Sequence, residues 1–319
     1  MKARTPKVEH RDGAPASRGD PVILVFHQGA IGDFVLTLPV IQAVREAAGA
    51  ARVEVVATAG SARVAAGRSV VDTWTSPDQV GLHTLYGEGS DLDERLARRL
   101  ERAVLVLSFL GGPAEASDRR LCAATPGCVV SVDPRPNQET LAAGRHITAQ
   151  WEAAVQAQAL AISSTKPAFI RIERTPAASS SDSPVIGDTG ETSAVRVVIH
   201  PGSGGRGKCW PVERFMAMAD EMEGAAIAWM LGPAECEAGD DRFAGLHDRI
   251  QRRGEGLIVE ADLLAAARKI AEADLFAGND SGMTHLAAAL GVHTLAVFTT
   301  TDPRVWRPLG DHVTVLTPR

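Results

Sequence analysis

The chain has 319 residues, a formal net charge of −6 and 45% apolar residues. That length suits two domains of ordinary size, each able to bury a core, and the acidic balance argues against a nucleic-acid partner, which calls for a basic face. Aromatic residues make up only 4% of the chain, so sugar recognition by stacked rings is not advertised. Residues 1–20 are charged, rich in Pro and Gly, and lack an apolar core segment; they predict a disordered tail, not a signal peptide. No apolar run reaches the roughly 18–20 residues of a membrane span. Cysteines 122, 128, 209 and 236 form no CxxC pair, and are expected as reduced thiols rather than a disulfide frame or zinc site.

From residue 21 to 165, short β-like runs alternate with helix-like runs, which predicts a parallel sheet covered by helices. "VILVF" (22–26), "VEVVAT" (53–58), "AVLVLSF" (103–109) and "CVVSVD" (128–133) read as strands. Residues 38–48, 91–103 and 147–161 read as helices. Composition then shifts to Ser, Thr, Pro and Gly without periodicity at 174–194, so an interdomain linker is placed at 166–194. A second α/β block occupies 195–319, with strands at 195–200, 225–231, 256–260, 274–278 and 294–298. Helices are expected near 212–223, 234–250, 262–273 and 281–290. The pattern predicts two Rossmann-like halves with a cleft between them. Open α/β sheets bind ligands beyond the carboxyl ends of their strands, and four polar clusters lie at such ends.

The first is "HQGAIGDFVLTLP" (27–39). Gly29 and Gly32 permit a sharp turn, but no G-x-G-x-x-G is present, so a dinucleotide fingerprint is not supported. Asp33 is either the N-cap of the next helix or a base at the cleft mouth that takes a proton from a substrate hydroxyl. Gln28 is either a polar contact or simply exposed. Pro39 is expected to kink or restart the helix.

The second is "HPGSGGRGKCWPVERF" (200–215). Gly202, Ser203 and glycines 204, 205 and 207 form a loop that Lys208 closes. Free amides plus one Lys after a strand are how chains hold phosphate; a flexible surface loop with a solvated Lys is the other reading. Cys209 breaks the P-loop pattern. In "MLGPAECE" (230–237), Glu235 is either a first-turn residue favoured by the helix dipole or an acceptor for ribose hydroxyls.

The last cluster is "AGNDSGMTHLAAALG" (277–291). If Asp280 caps the helix, the amides of Ser281, Gly282 and Met283 point outward at the positive end of its dipole. Gly282 then keeps the first turn clear for an anion, Ser281 and Thr284 add hydroxyls, and His285 shares a face with Ser281. The alternative makes Asp280 only a cap and His285 a core histidine. "DLD" (91–93) and "GDDR" (239–242) are better explained by helix capping and a polar helix surface.

Taken together, "GDFVLTLP", "HPGSGGRGKCWPVERF", "GPAE", "NDSGMTHLAAALG" and "TDP" (301–303) resemble glycosyltransferase family 9, the ADP-heptose:lipopolysaccharide heptosyltransferases, over about residues 22–310. The resemblance implies an α/β GT-B fold, two Rossmann-like domains with parallel sheets facing across a cleft. The N-terminal half would receive the acceptor, with Gln28, Gly29 and Gly32 on the acceptor-side loop. The C-terminal half would hold the nucleotide sugar through Gly202, Ser203, Lys208, Glu235, Asp280, Ser281, Gly282, Thr284 and His285. Asp33 then matches the family's general base, and Lys208 the residue that neutralises donor phosphate. Three positions differ from the common pattern: in "FTTTDP" Thr299 and Thr300 replace the Gly and Pro of "FGPTDP", and His293 stands where Pro is frequent. Relatives usually continue past the position of Arg319 with a cysteine-bearing segment and a helix, so a closing helix is expected to be missing.

The implied reaction is inverting, metal-independent transfer of a sugar, a heptose from ADP-heptose, to a lipopolysaccharide-type glycan. No cofactor or metal is implied. The expected partners are the nucleotide sugar and a glycan or glycolipid acceptor, with no nucleic acid. A cytoplasmic monomer is expected, in peripheral contact with the inner face of the cytoplasmic membrane where the acceptor is lipid-linked. The rival readings are a family member with another nucleotide sugar or acceptor, and a non-catalytic nucleotide-sugar binding protein.

Overall fold

The computed structural model describes residues 21–318 apart from 50, 88–90, 114, 159, 174–193 and 233–240. The expected tail, nearly all of the Ser/Thr/Pro-rich segment and Glu235 therefore lie outside the described residues. Five strands form the first sheet: β1 (Val22–Phe26), β2 (Arg52–Val56), β3 (Thr73–Thr75), β4 (Ala103–Ser108) and β5 (Cys128–Ser131). They run in the order β3-β2-β1-β4-β5, and every neighbouring pair is parallel. Six strands form the second: β6 (Arg196–His200), β7 (Ala226–Leu231), β8 (Gly256–Val259), β9 (Leu275–Asn279), β10 (His293–Val297) and β11 (Val313–Leu316). Their order is β11-β10-β9-β6-β7-β8, again all parallel.

Val, Ile, Leu and Phe fill β1 and β6 almost continuously, as expected for strands covered on both faces; Ile23 to Phe26 and Val197 to His200 are buried. In each sheet the strand order reverses beside the first strand, between β1 and β4 and between β6 and β9. Such switch points open a crevice at the carboxyl ends of the strands. The 27–33, 200–208 and 279–285 clusters all emerge there.

The two lobes share one apolar core. It joins Val25, Phe34 and Trp151 of the first lobe to Phe276, Leu286 and Val305 of the second. Helix Ile31–Ala47 packs on helix Gly282–Ala289 at the centre of this contact. The first residues of the expected linker touch both lobes, with Ile170 N donating to Ala289 O and Arg171 N to Arg68 O, each at 2.7 Å.

Several elements differ from the sequence expectation. β3, β11 and the helices Ala59–Ala65, Ala116–Ala124 and Gln138–Ala143 are additional. Pro39 does not restart its helix, which runs as one element from Ile31 to Ala47. Residues Phe34 to Ile41 are all buried, and packing on both sides outweighs the one backbone hydrogen bond that Pro removes. Among the described residues, no helix is long and apolar enough to cross a membrane.

His27 and His200 occupy equivalent places just past β1 and at the end of β6, and both are buried. Burial holds each imidazole neutral, lowering its pKa from 6.5 to about 4. The unfolded chain takes up these protons below about pH 6.5, whereas the folded chain resists them until about pH 4. Stability should therefore fall as pH drops through this window, at up to about 1.4 kcal/mol per pH unit for each histidine. Denaturant unfolding at pH 7 and pH 4.5 checks this, with a smaller drop expected for His27→Phe. A wild-type free energy equal at both pH values would contradict it.

Candidate functional site

Asp33 is the third residue of helix Ile31–Ala47, one turn past β1; the N-cap is Ala30, so Asp33 is not the cap. Its carboxyl is half-buried. Burial raises its pKa, against the lowering effects of His285, the Ala30 backbone amide and Lys208. His285 and Lys208 belong to the other lobe, so the acid of the first lobe lies within the electrostatic reach of the second.

On the second lobe, Asp280 is the hub. It follows β9 and is 7% exposed. Lys208 Nζ lies 3.0 Å from Asp280 Oδ2, Thr301 Oγ1 donates to the same oxygen at 2.6 Å, and His285 Nε2 stands 3.8 Å from Oδ1. Burial alone would push this carboxyl up; the partners His285, Thr301 and Lys208 reverse that and hold it at about 2. Asp280 therefore stays ionised and fixes the Lys208 ammonium at the cleft. It does not cap the following helix, as the sequence suggested. That helix starts at Gly282 with Ser281 as its N-cap, and the Asp280 carboxylate is turned instead toward a cation.

The loop that carries Lys208 is tied down from the carboxyl ends of β9 and β10. Buried Asn279 donates from Nδ2 to Pro201 O at 2.7 Å and accepts from Trp210 N at 2.8 Å. Ser203 Oγ donates to Asp280 O, and Thr299 Oγ1 to Lys208 O. A β-carbon at Gly204 or Gly207 would meet nothing within 4 Å, and neither residue has positive φ. Neither packing nor backbone strain thus requires glycine there; close approach by a ligand to the backbone remains as a reason.

Gly282 has a different reason from the one expected. A β-carbon there would fall 2.1 Å from Ile31 Cγ2 and 3.2 Å from Gly32 N. The bare first turn admits the opposite lobe, not only an anion. Gly32 answers it: its β-carbon would lie 3.1 Å from His285 Cδ2 and 3.3 Å from Gly282 Cα. Gly32 is buried in this lobe–lobe contact and offers no surface to an acceptor, whereas Gln28 and Gly29 are exposed. Thr284 is also corrected. It is fully buried, with its hydroxyl donating to Asn279 O, so it has no hydroxyl open to a ligand. Ser281 is partly exposed, and its hydroxyl lies 3.2 Å from that of Thr284. Ser281 makes no side-chain cap bond, which leaves the first-turn amides without that acceptor.

Asp33, Lys208, Asp280, Ser281, Gly282 and His285 are thus gathered where the two lobes meet, and Asn279 Nδ2 and Ser203 Oγ hold Gly202 and Ser203 to the end of β9. Glu235 lies outside the described residues. Asn279, Thr301 and His27 were not singled out in sequence. Asn279 was legible only as a polar residue closing an apolar strand, and Thr301 only as part of "TDP". Among the described residues, no group of three or more His, Cys, Asp or Glu side chains is placed to hold a metal ion.

Residues 137–318, more than half of the chain, match the model of glycosyltransferase family 9 (heptosyltransferase). The chain is 29% identical over 115 residues to lipooligosaccharide heptosyltransferase 2 of Haemophilus influenzae, a match covering 35% of this chain and 33% of that protein. It thus spans about a third of that relative's length. The fold is similar to the glycosyl transferase family 9 protein of Veillonella parvula, with TM-score 0.69, 19% identity and coverage of 95% of this chain and 89% of that one. It is also similar to the E. coli ADP-heptose lps heptosyltransferase II, with TM-score 0.65, 17% identity and coverage of 92% and 89%. The two facing parallel sheets are therefore a GT-B fold, and with its switch-point crevice and its ordered motifs the chain belongs to glycosyltransferase family 9.

Proposed function

We propose that the protein is an inverting, metal-independent glycosyltransferase that moves a heptose from ADP-heptose to a hydroxyl of a lipopolysaccharide-type glycan. The observation that supports this reading is that half-buried Asp33 of one lobe feels the charges of Lys208 and Asp280 of the other, which pair with each other at 3.0 Å. The named donors and acceptors of the relatives support the choice of substrates.

Asp33 takes the proton of the acceptor hydroxyl as its oxygen attacks the anomeric carbon. The bond from that carbon to the diphosphate breaks, and negative charge gathers on the departing ADP. Lys208 and the amides opening helix Gly282–Ala289 face that charge, where preorganised donors act most strongly. A base contributes most when its pKa approaches the working pH, and the upward shift of Asp33 moves it in that direction. Asp280, already ionised, holds the ammonium in place before the donor arrives.

A second reading keeps this chemistry and changes the sugar. It is favoured by the Thr299–Thr301 loop, whose hydroxyls contact the Lys208 carbonyl and Asp280. Acceptor-dependent release of nucleoside diphosphate, measured across ADP-, GDP- and UDP-sugars, separates the two. ADP release from ADP-heptose is expected; turnover confined to another donor would establish the second reading, and release from none would remove both.

A further inference from the structure

Lys208 is gripped at three atoms. Its amide nitrogen donates to Gly205 O at 3.0 Å, its carbonyl accepts from Thr299 Oγ1 at 3.0 Å, and its ammonium meets Asp280 Oδ2 at 3.0 Å. The first hold lies within the loop itself, and the third acts at the far end of a long side chain. The second ties the loop's backbone to another segment. Thr299 and Thr301 follow β10, and Thr301 Oγ1 donates to the same Asp280 oxygen that meets the ammonium, at 2.6 Å. One short segment therefore touches both the backbone of Lys208 and the carboxylate that holds its charge. Packing does not supply this hold. Glycines 204, 205 and 207 precede Lys208, and a β-carbon at Gly204 or Gly207 would meet nothing within 4 Å. Such a stretch has much backbone freedom to lose, and ordering it only when a ligand arrives weakens binding. Thr299 is exposed. Water would satisfy its hydroxyl in the absence of Lys208, so the bond adds little to overall stability and its effect is local.

We propose that Thr299 is a positioning residue for Lys208: its hydroxyl holds the Lys208 carbonyl, while Thr301 holds Asp280, so that the ammonium is already in place when the diphosphate of the donor arrives. Thr299 itself touches no donor atom in this role. It acts through the lysine, and the role rests on the reading of Lys208 as the partner of the diphosphate.

The test uses the full chain. Thr299→Val removes the hydroxyl and keeps the shape, and Thr299→Ser restores the hydroxyl. Thr299→Val is also combined with Lys208→Ala. Lysine side chains are labelled with carbon-13, and the Lys208 Cε signal is assigned by its loss in Lys208→Ala. In the unliganded protein that signal is expected to shift and to relax as a more mobile group in Thr299→Val, and to return to its wild-type position in Thr299→Ser. The Kd for ADP, measured by calorimetry, should rise about 3- to 10-fold in Thr299→Val, the scale of one hydrogen bond, and kcat with ADP-heptose should fall about 10-fold as the cation is misplaced. Thr299→Ser should restore both, and the melting temperature of each single Thr299 variant should match the wild type. In the Lys208→Ala background, Thr299→Val should change the Kd for ADP no further, as expected when one residue acts only through the other. A Lys208 signal that is the same in the wild type and Thr299→Val overturns the proposal. So does a loss of ADP affinity that persists in full without Lys208, since Thr299 would then bind the donor itself. If the signal moves but Lys208→Ala binds ADP as tightly as the wild type, the reading of Lys208 fails, and the role of Thr299 in transfer fails with it.

Discussion

Asp33→Asn is expected to lower sugar transfer by about 10²- to 10⁴-fold, the range spanned by a positioned general base, with no loss of thermal stability. The amide has the shape of the carboxyl but cannot take the proton. Asp33 is half-buried, and burial raises its pKa above the ordinary value of 3.8. The sign for stability follows. A carboxyl with a raised folded pKa stabilises the fold at pH below its unfolded value and loses that contribution as pH rises through the folded value. Ionised Asp33 therefore weakens the fold at neutral pH, and Asn is expected to melt at the same temperature or higher. The activity profile has the opposite sense: wild-type transfer should decline on acidification through the raised pKa, as the base becomes protonated. Thermal melts beside steady-state rates from pH 5 to 8 check both statements. Wild-type turnover by the variant would end the assignment.

Lys208→Ala is expected to raise the barrier by about 2.7–4 kcal/mol, the measured scale for removing one preorganised donor from a developing anion. It also disturbs the resting protein. Lys208 is one of the three groups that hold buried Asp280 ionised, beside Thr301 and His285. Without the ammonium, the carboxylate loses a charged partner and the variant should be less stable above pH 4. The double variant Lys208→Ala, Asp280→Asn removes the stranded charge. Its melting temperature should recover toward the wild type while transfer stays low. Recovery of transfer together with stability would mean that Lys208 acts only by supporting Asp280.

The fold was legible because each buried strand is a run of Val, Ile, Leu or Phe bounded by polar or glycine-rich residues. β3 and β11 were not, being short edge strands with three and four residues. Helix Ala59–Ala65 begins with small residues and has no amphipathic period to announce it. Within the site, residue type was more legible than residue contact. Asp33 and Lys208 were identifiable as a carboxylate and a cation at strand ends. The partner of Asp280 was not, because Lys208 lies 72 residues away. The same limit explains Gly282 and Gly32. Each looks like a loop glycine serving a ligand, yet each is needed where one lobe's helix meets the other's. Thr284 illustrates the converse, since a hydroxyl beside an anion-binding pattern can be wholly taken up by the neighbouring carbonyl.

The central claim is that Asp33 and Lys208 face one nucleotide sugar from opposite lobes. A crystal structure of the full chain with a non-transferable fluorinated ADP-heptose tests it most directly. The diphosphate is expected within hydrogen-bond distance of Lys208 Nζ, with the anomeric carbon open on the side of Asp33. A donor bound away from Lys208, or one whose anomeric carbon is shielded from Asp33 by protein, would contradict it.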